Sequence, residues 1–145
     1  MNRYTITIAG SICFLLMAIV GSAQQPGTLV IEASNFESDE GIAIVNLFRE
    51  QDDVPKKPFT QATGEIMDGK AKIVFNSIPY GEYAAILFQD ENSNGILDHK
   101  WGFPNEPMGF SNEWKLTLFS GMPTFIKLKF EFSAQKPGHK IIIKR

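Results

Sequence analysis

The sequence has only one cysteine, Cys13, and it lies within an apolar stretch near the N-terminus. A single cysteine cannot form a disulfide within the chain, so the fold must depend on a core, a metal or both. Histidine is also scarce, with only His99 and His139, and neither a G-x-S-x-G nor an H-E-x-x-H pattern is present. The sequence therefore indicates a protein that is not an enzyme.

A strong charge of one sign is absent as well. The 145 residues carry 14 basic and 16 acidic side chains, which gives a formal net charge of −2. The basic residues are dispersed and not clustered with aromatic residues, and no glycine-rich phosphate loop occurs. Nucleic acid is therefore not an expected partner. An envelope protein or a glycan is the expected kind of partner, and the sequence does not name it.

The N-terminal residues have the pattern of an export signal. Arg3 provides a positive start, residues 6–20 form an apolar stretch, and residues 21–23 are small and suited to cleavage. The apolar stretch of roughly 15 residues is shorter than the ~20 residues that span a bilayer. We predict a signal peptide over residues 1–23 and a single exported domain over residues 24–145. This domain would be periplasmic or extracellular, without a membrane span after cleavage.

The rest of the sequence is a series of short segments separated by Gly, Pro, Asn and Asp, with almost no helical periodicity. Residues 42–48 and 84–89 are nearly continuous apolar runs, which are typical of strands covered on both faces. The remaining predicted strands lie at 28–33, within 64–75, at 125–132 and at 140–144. This pattern predicts an all-β fold: an antiparallel β-sandwich of about seven strands, immunoglobulin-like, with one long irregular loop.

Turn residues and one alternating segment support this prediction. Residues 68–69 are an Asp-Gly pair, which favours a two-residue hairpin turn with positive φ at both positions. Residues 136–138 are predicted to turn the chain into its last strand, and residues 114–119 are either an eighth strand or an extended arm. Residues 125–132 alternate between apolar and charged side chains. The apolar face of that segment consists of Ile126, Leu128, Phe130 and Phe132.

The segment after the second apolar run has the pattern of a calcium-binding loop. Its oxygen-bearing side chains alternate at Asp90, Asn92 and Asn94, Gly95 permits a tight bend, and Asp98 follows. In loops of this D-x-[DN]-x-[DN]-G kind, alternating carboxylate and amide oxygens turn inward as hard ligands for calcium. The predicted calcium ligands are the side chains of Asp90, Asn92, Asn94, Asp98 and Glu106 and the backbone carbonyl of Ile96.

This loop differs from an EF-hand, which needs a bidentate glutamate at its twelfth position. Counted from Asp90, that position is Trp101, so Glu106 would have to fold back to complete the shell of ligands. A metal-free loop is the alternative. In that case Asp and Asn side chains accept hydrogen bonds from their own backbone, and Gly95 takes a positive φ.

Four aromatic residues follow in a stretch that Gly and Pro make irregular: Trp101, Phe103, Phe110 and Trp114. Long loops without regular structure often have a function, and a carbohydrate or a peptide could stack on exposed rings. The alternative is that the rings cover the open end of the sandwich as a minor core. Exposed rings would favour a ligand surface, and buried rings would favour a structural role.

Several motifs resemble one bacterial family. They are Asn35 through Phe48, I-P-Y-G-E-Y-A at 78–84, D-E-N-S-N-G-I-L-D at 90–98 and G-F-P-N-E-P-M-G-F-S-N at 102–112. Together they are similar to the family catalogued as domain of unknown function 2141. The resemblance implies a small exported single-domain protein and no particular activity. The Pro-x-Gly-x-Tyr step at 79–83 is also similar to prealbumin-like sandwiches.

These observations predict an exported, non-catalytic binding or structural module of the cell envelope, stabilised by calcium in the 90–98 loop. The main alternative is a carbohydrate- or peptide-binding module that uses the aromatic loop 101–114. A hydrolase is the third interpretation, in which two of the acids Glu91, Asp98 and Glu106 would act as a carboxylate pair.

Overall fold

A computed structural model of the protein describes residues 26–117 and 119–144. It confirms the all-β prediction. The strands are β1 (Pro26–Ser34), β2 (Ile42–Phe48), β3 (Thr60–Met67), β4 (Lys70–Pro79), β5 (Gly81–Asp90), β6 (His99–Lys100), β7 (Phe103–Pro104), β8 (Met108–Phe110), β9 (Phe130–Phe132) and β10 (Gly138–Lys144). The two short helices are a 3-10 helix (Ser111–Glu113) and α1 (Phe125–Leu128). The predicted signal peptide, residues 1–23, lies outside the described residues.

The main sheet is closed, so the prediction of a sandwich is wrong. Its strands follow the order β2-β3-β4-β1-β10-β8-β5, and β2 pairs with β5 as well as with β3. Seven strands therefore form a barrel, and β9 pairs with the first residues of β5, 81–83. A sandwich and a barrel both place alternate side chains inside, because in each the sheet has one inner face. The alternating pattern could not distinguish the two architectures.

One strand pair departs from the expected antiparallel arrangement. β1 and β10 run parallel, with pairs from Val30–Gly138 to Ser34–Ile142, while the other ladders of the barrel are antiparallel. The first and last strands of the barrel thus lie side by side. Side-chain alternation does not reveal strand direction, because parallel and antiparallel strands both have a period of two residues.

The interior of the barrel contains the main core. Alternate residues of β1, β4 and β10 point inward and are fully or almost fully buried. The largest of them are Leu29, Ile31, Ile73, Phe75, Ile141 and Ile143. Burial of this apolar surface drives closure of the sheet, because each inward side chain leaves water only when the opposite wall covers it.

A second apolar cluster, the outer cluster, lies on the outside of the barrel wall over β2 and β5. Phe48 and Ile86 point outward from these strands and pack with Phe110, Phe125 and Leu128. β2 and β5 are therefore covered on both faces, by the interior core on one side and by the outer cluster on the other. This explains the nearly continuous apolar runs of the two strands, as the sequence predicted.

Ser111 connects the outer cluster to the barrel. Its side chain is fully buried, and Oγ accepts a hydrogen bond from the backbone N–H of Ala85 at 2.9 Å. The same hydroxyl donates to the carbonyl oxygen of Leu128 at 2.5 Å. One hydroxyl thus satisfies a backbone donor of β5 and the carbonyl oxygen at the end of α1, both of which would otherwise be buried without water.

The β3–β4 hairpin is confirmed. Asp68 and Gly69 have φ values of 52° and 69°, and Met67 pairs with Lys70 across the turn. These positive φ values are the ones that a two-residue hairpin turn requires. The carboxylate of Asp39 accepts hydrogen bonds from both turn amides, each at 2.9 Å. The residues of the turn favour this conformation by themselves, and the loop between β1 and β2, which contains Asp39, stabilises it further.

The prediction of one strand over residues 125–132 is wrong. Phe125–Leu128 forms the helix α1, and only Phe130–Phe132 is a strand. Ile126, which was expected on the buried face, is 77% exposed, whereas Phe125 is buried. Phe125 and Leu128 both enter the outer cluster, and their spacing of three residues places them on one face of a helical turn.

Two other connections also differ in detail from the sequence prediction. The chain turns between Ser133 and Lys136, and Gly138 already belongs to β10, so the turn lies before the predicted residues 136–138. Residues 114–117 and 119 are not in a strand, which favours the extended arm over an eighth strand for these residues. In the part of the chain that the structure describes, no helix has the length and apolar character needed to cross a membrane.

Candidate functional site

The candidate loop begins where β5 leaves the barrel. Asp90, the last residue of β5, is completely buried, and both of its carboxylate oxygens are engaged. Oδ1 accepts a hydrogen bond from the backbone N–H of Asn94 at 3.1 Å, and Oδ2 accepts one from Gly95 at 2.7 Å. Charge-assisted bonds of this kind are stronger than neutral ones, so Asp90 ties the tip of the loop to the barrel.

Asn92 and Asn94 form Asx turns, which the sequence predicted as the alternative to a metal site. The Oδ1 atom of Asn92 accepts a hydrogen bond from the backbone N–H of Asn94 at 3.0 Å, and Oδ1 of Asn94 accepts one from Ile96 at 2.9 Å. Gly95 has the expected positive φ of 81°. The loop thus has an internal scaffold in which side chains replace backbone partners.

Asp98 lies opposite the two asparagines. The side-chain amide of Asn92 donates to Oδ2 of Asp98 at 2.7 Å, and that of Asn94 contacts both carboxylate oxygens at 3.3 and 3.2 Å. Two amide groups therefore occupy the position in front of this carboxylate where a cation would bind. If either side-chain amide rotated by 180°, its oxygen would face Asp98 in place of its nitrogen and could bind a cation. The rotation would break the Asx-turn hydrogen bond that this oxygen accepts from the backbone.

Glu106 folds back onto the loop, as a complete ligand shell would require. Its side chain is buried, with Oε1 accepting from the backbone N–H of Glu91 at 3.2 Å and Oε2 from that of Asp98 at 3.1 Å. Burial raises the pKa of Glu106 above its usual value. The two backbone hydrogen bonds oppose this shift in pKa, whereas the nearby charges of Asp90 and Asp98 add to it.

The candidate ligand set is therefore partly assembled. Ile96, expected to offer its carbonyl oxygen, has an exposed side chain on the outer rim of the loop. Among the described residues, no group of three or more His, Cys, Asp or Glu side chains is placed to hold a metal ion. A metal site here would depend on asparagine and backbone oxygens in addition to the carboxylates, which is a donor set of the kind that calcium accepts.

The aromatic residues do not form one surface. Trp101 and Phe103 lie on the hairpin formed by β6 and β7, where they are 91% and 64% exposed. Trp101 and Gly102 form the turn of this hairpin, with φ values of 56° and 83°. A large aromatic residue in the left-handed region is unusual, because its Cβ approaches the backbone.

Phe110 and Trp114 belong instead to the outer cluster. Phe110 is buried, and Trp114 packs edge-on against it with 4.8 Å between the ring centroids. The expectation of a minor core thus fits these two residues, although they cover a barrel wall and not the open end of a sandwich. Of these four aromatic residues, Trp101 and Phe103 expose the ring area that a stacked ligand would need.

The residues that hold the base of the loop were not predicted from the sequence. Gln89 is buried, and its Nε2 donates to the carbonyl oxygens of Ser38 and Glu40 at 3.1 and 2.9 Å. Gly41 has φ 72°, and a Cβ at this position would lie 1.9 Å from the carbonyl oxygen of Asp90. The sequence does contain one signal of this role: Gln89 ends an apolar run, and a buried side-chain amide needs hydrogen-bond partners.

Neither histidine contacts a carboxylate through a hydrogen bond in the described part of the chain. His139 stacks on Phe130 with 4.0 Å between centroids, and its Nε2 accepts from the backbone N–H of Asn112 at 3.4 Å. Burial lowers the pKa of His139. His99 is exposed on β6.

Comparison with known protein families places this closed all-β chain among proteins without an assigned activity. Residues 31–139 match the family described as "Uncharacterized protein conserved in bacteria (DUF2141)", and the chain belongs to this family. The resemblance drawn from the sequence motifs is thereby confirmed. Neither the curated proteins nor the solved structures include a significant match to the chain.

Proposed function

We propose that this protein is an exported, non-catalytic binding or structural module of the cell envelope, and that calcium stabilises its 90–98 loop. The observation that supports calcium is a set of oxygen-bearing side chains on one loop. The carboxylate of Asp98 faces the side-chain amides of Asn92 and Asn94, and the carboxylates of Asp90 and Glu106 hold the backbone of the same loop. A divalent cation would offset the repulsion that Asp90 and Asp98 exert on Glu106, and every candidate donor is an oxygen atom.

Calcium binding at this loop is expected to be weak. The amide groups of Asn92 and Asn94 donate to Asp98, so they must rotate or withdraw before a cation can enter. Each rotation gives up an Asx-turn hydrogen bond, at Asn94 N–H or at Ile96 N–H. With no bidentate glutamate at the twelfth position, we expect a dissociation constant of ~0.1 to 1 mM, as in extracellular calcium modules.

A non-catalytic role is supported by the way the acids of the loop are used. Asp90 and Glu106 each have both oxygens in hydrogen bonds to backbone N–H groups, and both side chains are buried. A general acid or base must reach a substrate proton within hydrogen-bonding distance, and these carboxylates are turned toward the protein. The hydrolase interpretation therefore has less support than the module.

A second candidate function rests on the β6–β7 hairpin. Trp101 and Phe103 expose most of their surface there, so a carbohydrate or peptide could stack on them. Titration with soluble glycans and peptides, followed by tryptophan fluorescence, tests this function. Phe103→Ala keeps both tryptophans and should weaken the response, whereas Trp114→Phe, which leaves Trp101 as the reporter, should keep it. An undiminished response in Phe103→Ala contradicts a hairpin site.

Thermal unfolding with calcium and with chelator tests the calcium proposal. At about 10 mM free calcium and a dissociation constant of ~0.1 mM, the folded state gains ~2.7 kcal/mol, enough to raise the melting temperature by several degrees. Asp98→Ala should remove this shift. Asp53→Ala, an exposed acid in the loop between β2 and β3, is the matched control and should keep it.

An equal melting temperature with calcium and with chelator would contradict the metal site. The loop would then be an Asx-turn scaffold without a metal. An equal shift in Asp98→Ala and in the wild type would mean that calcium acts elsewhere. Asp90→Ala is less suitable as a test, because Asp90 also caps two backbone amides and its loss lowers stability without calcium.

Mass spectrometry of protein from the native host tests export. The mature chain should begin at Gln24 and be recovered from the envelope fraction. An intact Met1 would contradict the proposed cleavage.

A further inference from the structure

The outer faces of four neighbouring strands form a wide groove away from the 90–98 loop. The strands are β3, β4, β1 and β10, in the order of the sheet, and the segment Glu113-Trp114-Lys115 forms an opposite wall. The groove has a volume of about 1130 Å³. Asn112 and Glu113 have φ values of 56° and 55°, and this bend directs the following residues along the edge of the groove.

Lysine dominates the charged lining of the groove. Five lysines and three glutamates line it, a local charge of +2, whereas the whole chain has a net charge of −2. The lysines are Lys70, Lys72, Lys115, Lys140 and Lys144, and the glutamates are Glu32, Glu65 and Glu113. A cationic groove attracts an anionic partner, and the acidic remainder of this protein repels the same partner. The partner is therefore directed to the groove.

The lysine charges are poorly compensated within the groove. Lys115 holds the pKa of Lys144 below its usual value, because the two side chains are within hydrogen-bonding reach and are both cationic. Glu113 acts in the opposite direction but does not cancel this effect. The ion pair between Lys140 and Glu32 is long, at 3.9 Å, and both side chains are largely exposed. Such a pair contributes little.

Exposed apolar side chains lie among these lysines. Met67 on β3 is 63% exposed and Ile142 on β10 is 56% exposed, and Trp114 is half-buried in the wall. Exposed methionine adapts its shape to different apolar partners. Cationic and apolar positions therefore alternate across one surface, which suits a ligand that also alternates between acidic and apolar groups.

We propose that this groove binds an extended acidic segment of a partner protein, with glutamate or aspartate side chains on the lysines and aliphatic side chains on Met67 and Ile142. A peptide fits better than an acidic glycan. Sugar rings need a flat exposed aromatic face. The two aromatic residues of the described lining, Phe110 and Trp114, pack against each other, Phe110 is buried, and the amine of Lys127 lies over the Trp114 ring at 5.7 Å from its centroid. This site is separate from the proposed calcium loop, and neither proposal depends on the other.

Fluorescence anisotropy with a labelled peptide tests the proposal. The probe is a peptide of about eight residues in which glutamate and leucine alternate, roughly 27 Å long when extended. It should bind at low ionic strength and weaken at about 0.15 M salt, because exposed charges are screened there. A matched peptide with glutamine in place of glutamate should not bind.

Paired variants separate the groove from general charge effects. Lys115→Gln/Lys144→Gln should weaken binding by about fivefold or more, since two charge contacts are lost. Lys56→Gln/Lys57→Gln removes the same charge from an exposed loop and should change binding less than about twofold. Met67→Gln should weaken binding. Met122→Gln should not, because Met122 is 64% exposed but does not line the groove.

Three outcomes would overturn the proposal. The first is the absence of peptide binding at low salt. The second is an equal loss in both lysine pairs, which would mean that only net charge matters. The third is binding of labelled polygalacturonate, an acidic glycan, that depends on Lys115 and Lys144 when the peptide does not bind. Because the Met67 and Met122 variants keep all charges, the proposal remains testable even if a lysine variant is poorly folded.

Discussion

The carboxylate of Glu106 accepts a hydrogen bond from the backbone N–H of Asp98 at 3.1 Å, which joins the end of the 90–98 loop to the segment that leads into β8. The second oxygen of Glu106 accepts from the backbone N–H of Glu91 at 3.2 Å. One buried side chain thus closes the loop at both ends. The loop keeps its shape through protein contacts, and calcium would add to an existing scaffold.

Glu106→Ala should destabilise the protein by about 1–3 kcal/mol, because two backbone N–H groups lose their shared acceptor. Urea unfolding at constant pH measures this loss. Asn105→Ala is the control: the side chain of Asn105 is exposed, so the change should stay within about 0.5 kcal/mol. Equal effects of the two substitutions would show that the bridge contributes nothing specific.

Ser111→Ala should cost about 1–3 kcal/mol, since it leaves the N–H of Ala85 and the carbonyl of Leu128 without their buried partner. Denaturant unfolding gives the value. Thr124→Ala serves as the control, because Thr124 precedes α1 without making a side-chain cap bond. A stability equal to that of the wild type would mean that water or a shifted backbone replaces the hydroxyl.

Gly69→Val should destabilise the β3–β4 hairpin by about 1 kcal/mol or more, because a β-branched residue is strained at a φ of 69°. The added Cβ would also lie 3.1 Å from the carbonyl oxygen of Phe36. Met67→Val, at an exposed strand position two residues earlier, should be tolerated because β-branched side chains suit strands. An unchanged unfolding midpoint for Gly69→Val would contradict the turn assignment.

Stability should fall when the pH drops below about 6.5, the ordinary pKa of histidine. Burial lowers the pKa of His139 in the folded state, so the unfolded state binds the proton more readily. The stability that the neutral histidine allows is therefore fully present above the pKa of the unfolded state and is lost as the pH falls below it. Unfolding free energies at about pH 7.5 and about pH 5 measure the loss.

His139→Gln should reduce the difference between the two pH values. It should also lower stability at both, since the stack on Phe130 is lost, and only the difference reports the titration. The control, Asn105→Ala, changes an exposed side chain that does not titrate and should leave the difference unchanged. If His139→Gln keeps the full pH dependence, other groups are responsible for it.

Local features could be predicted from the sequence because their causes are local. The Asp-Gly pair at 68–69 favours positive φ, and the Asx turns after Asp90 follow from side chains that bond to the backbone two residues further on. The double-sided burial of β2 and β5 was also visible, since an apolar run without alternation must be covered twice. The return of Glu106 to the loop was an expectation that spacing alone could not establish.

The sequence by itself determined the all-β class, the strands that carry the core, the hairpin turn and the composition of the 90–98 loop. Only the tertiary structure decided that β2 meets β5, so that the sheet closes, and that β1 and β10 run parallel. It also decided that Phe125 and Leu128 form a helical turn over the outer cluster, and that lysines from β4, β10 and the arm share one groove. The physical reason is that alternation and turn chemistry act over a few residues, whereas closure and clustering depend on which distant segments exclude water together.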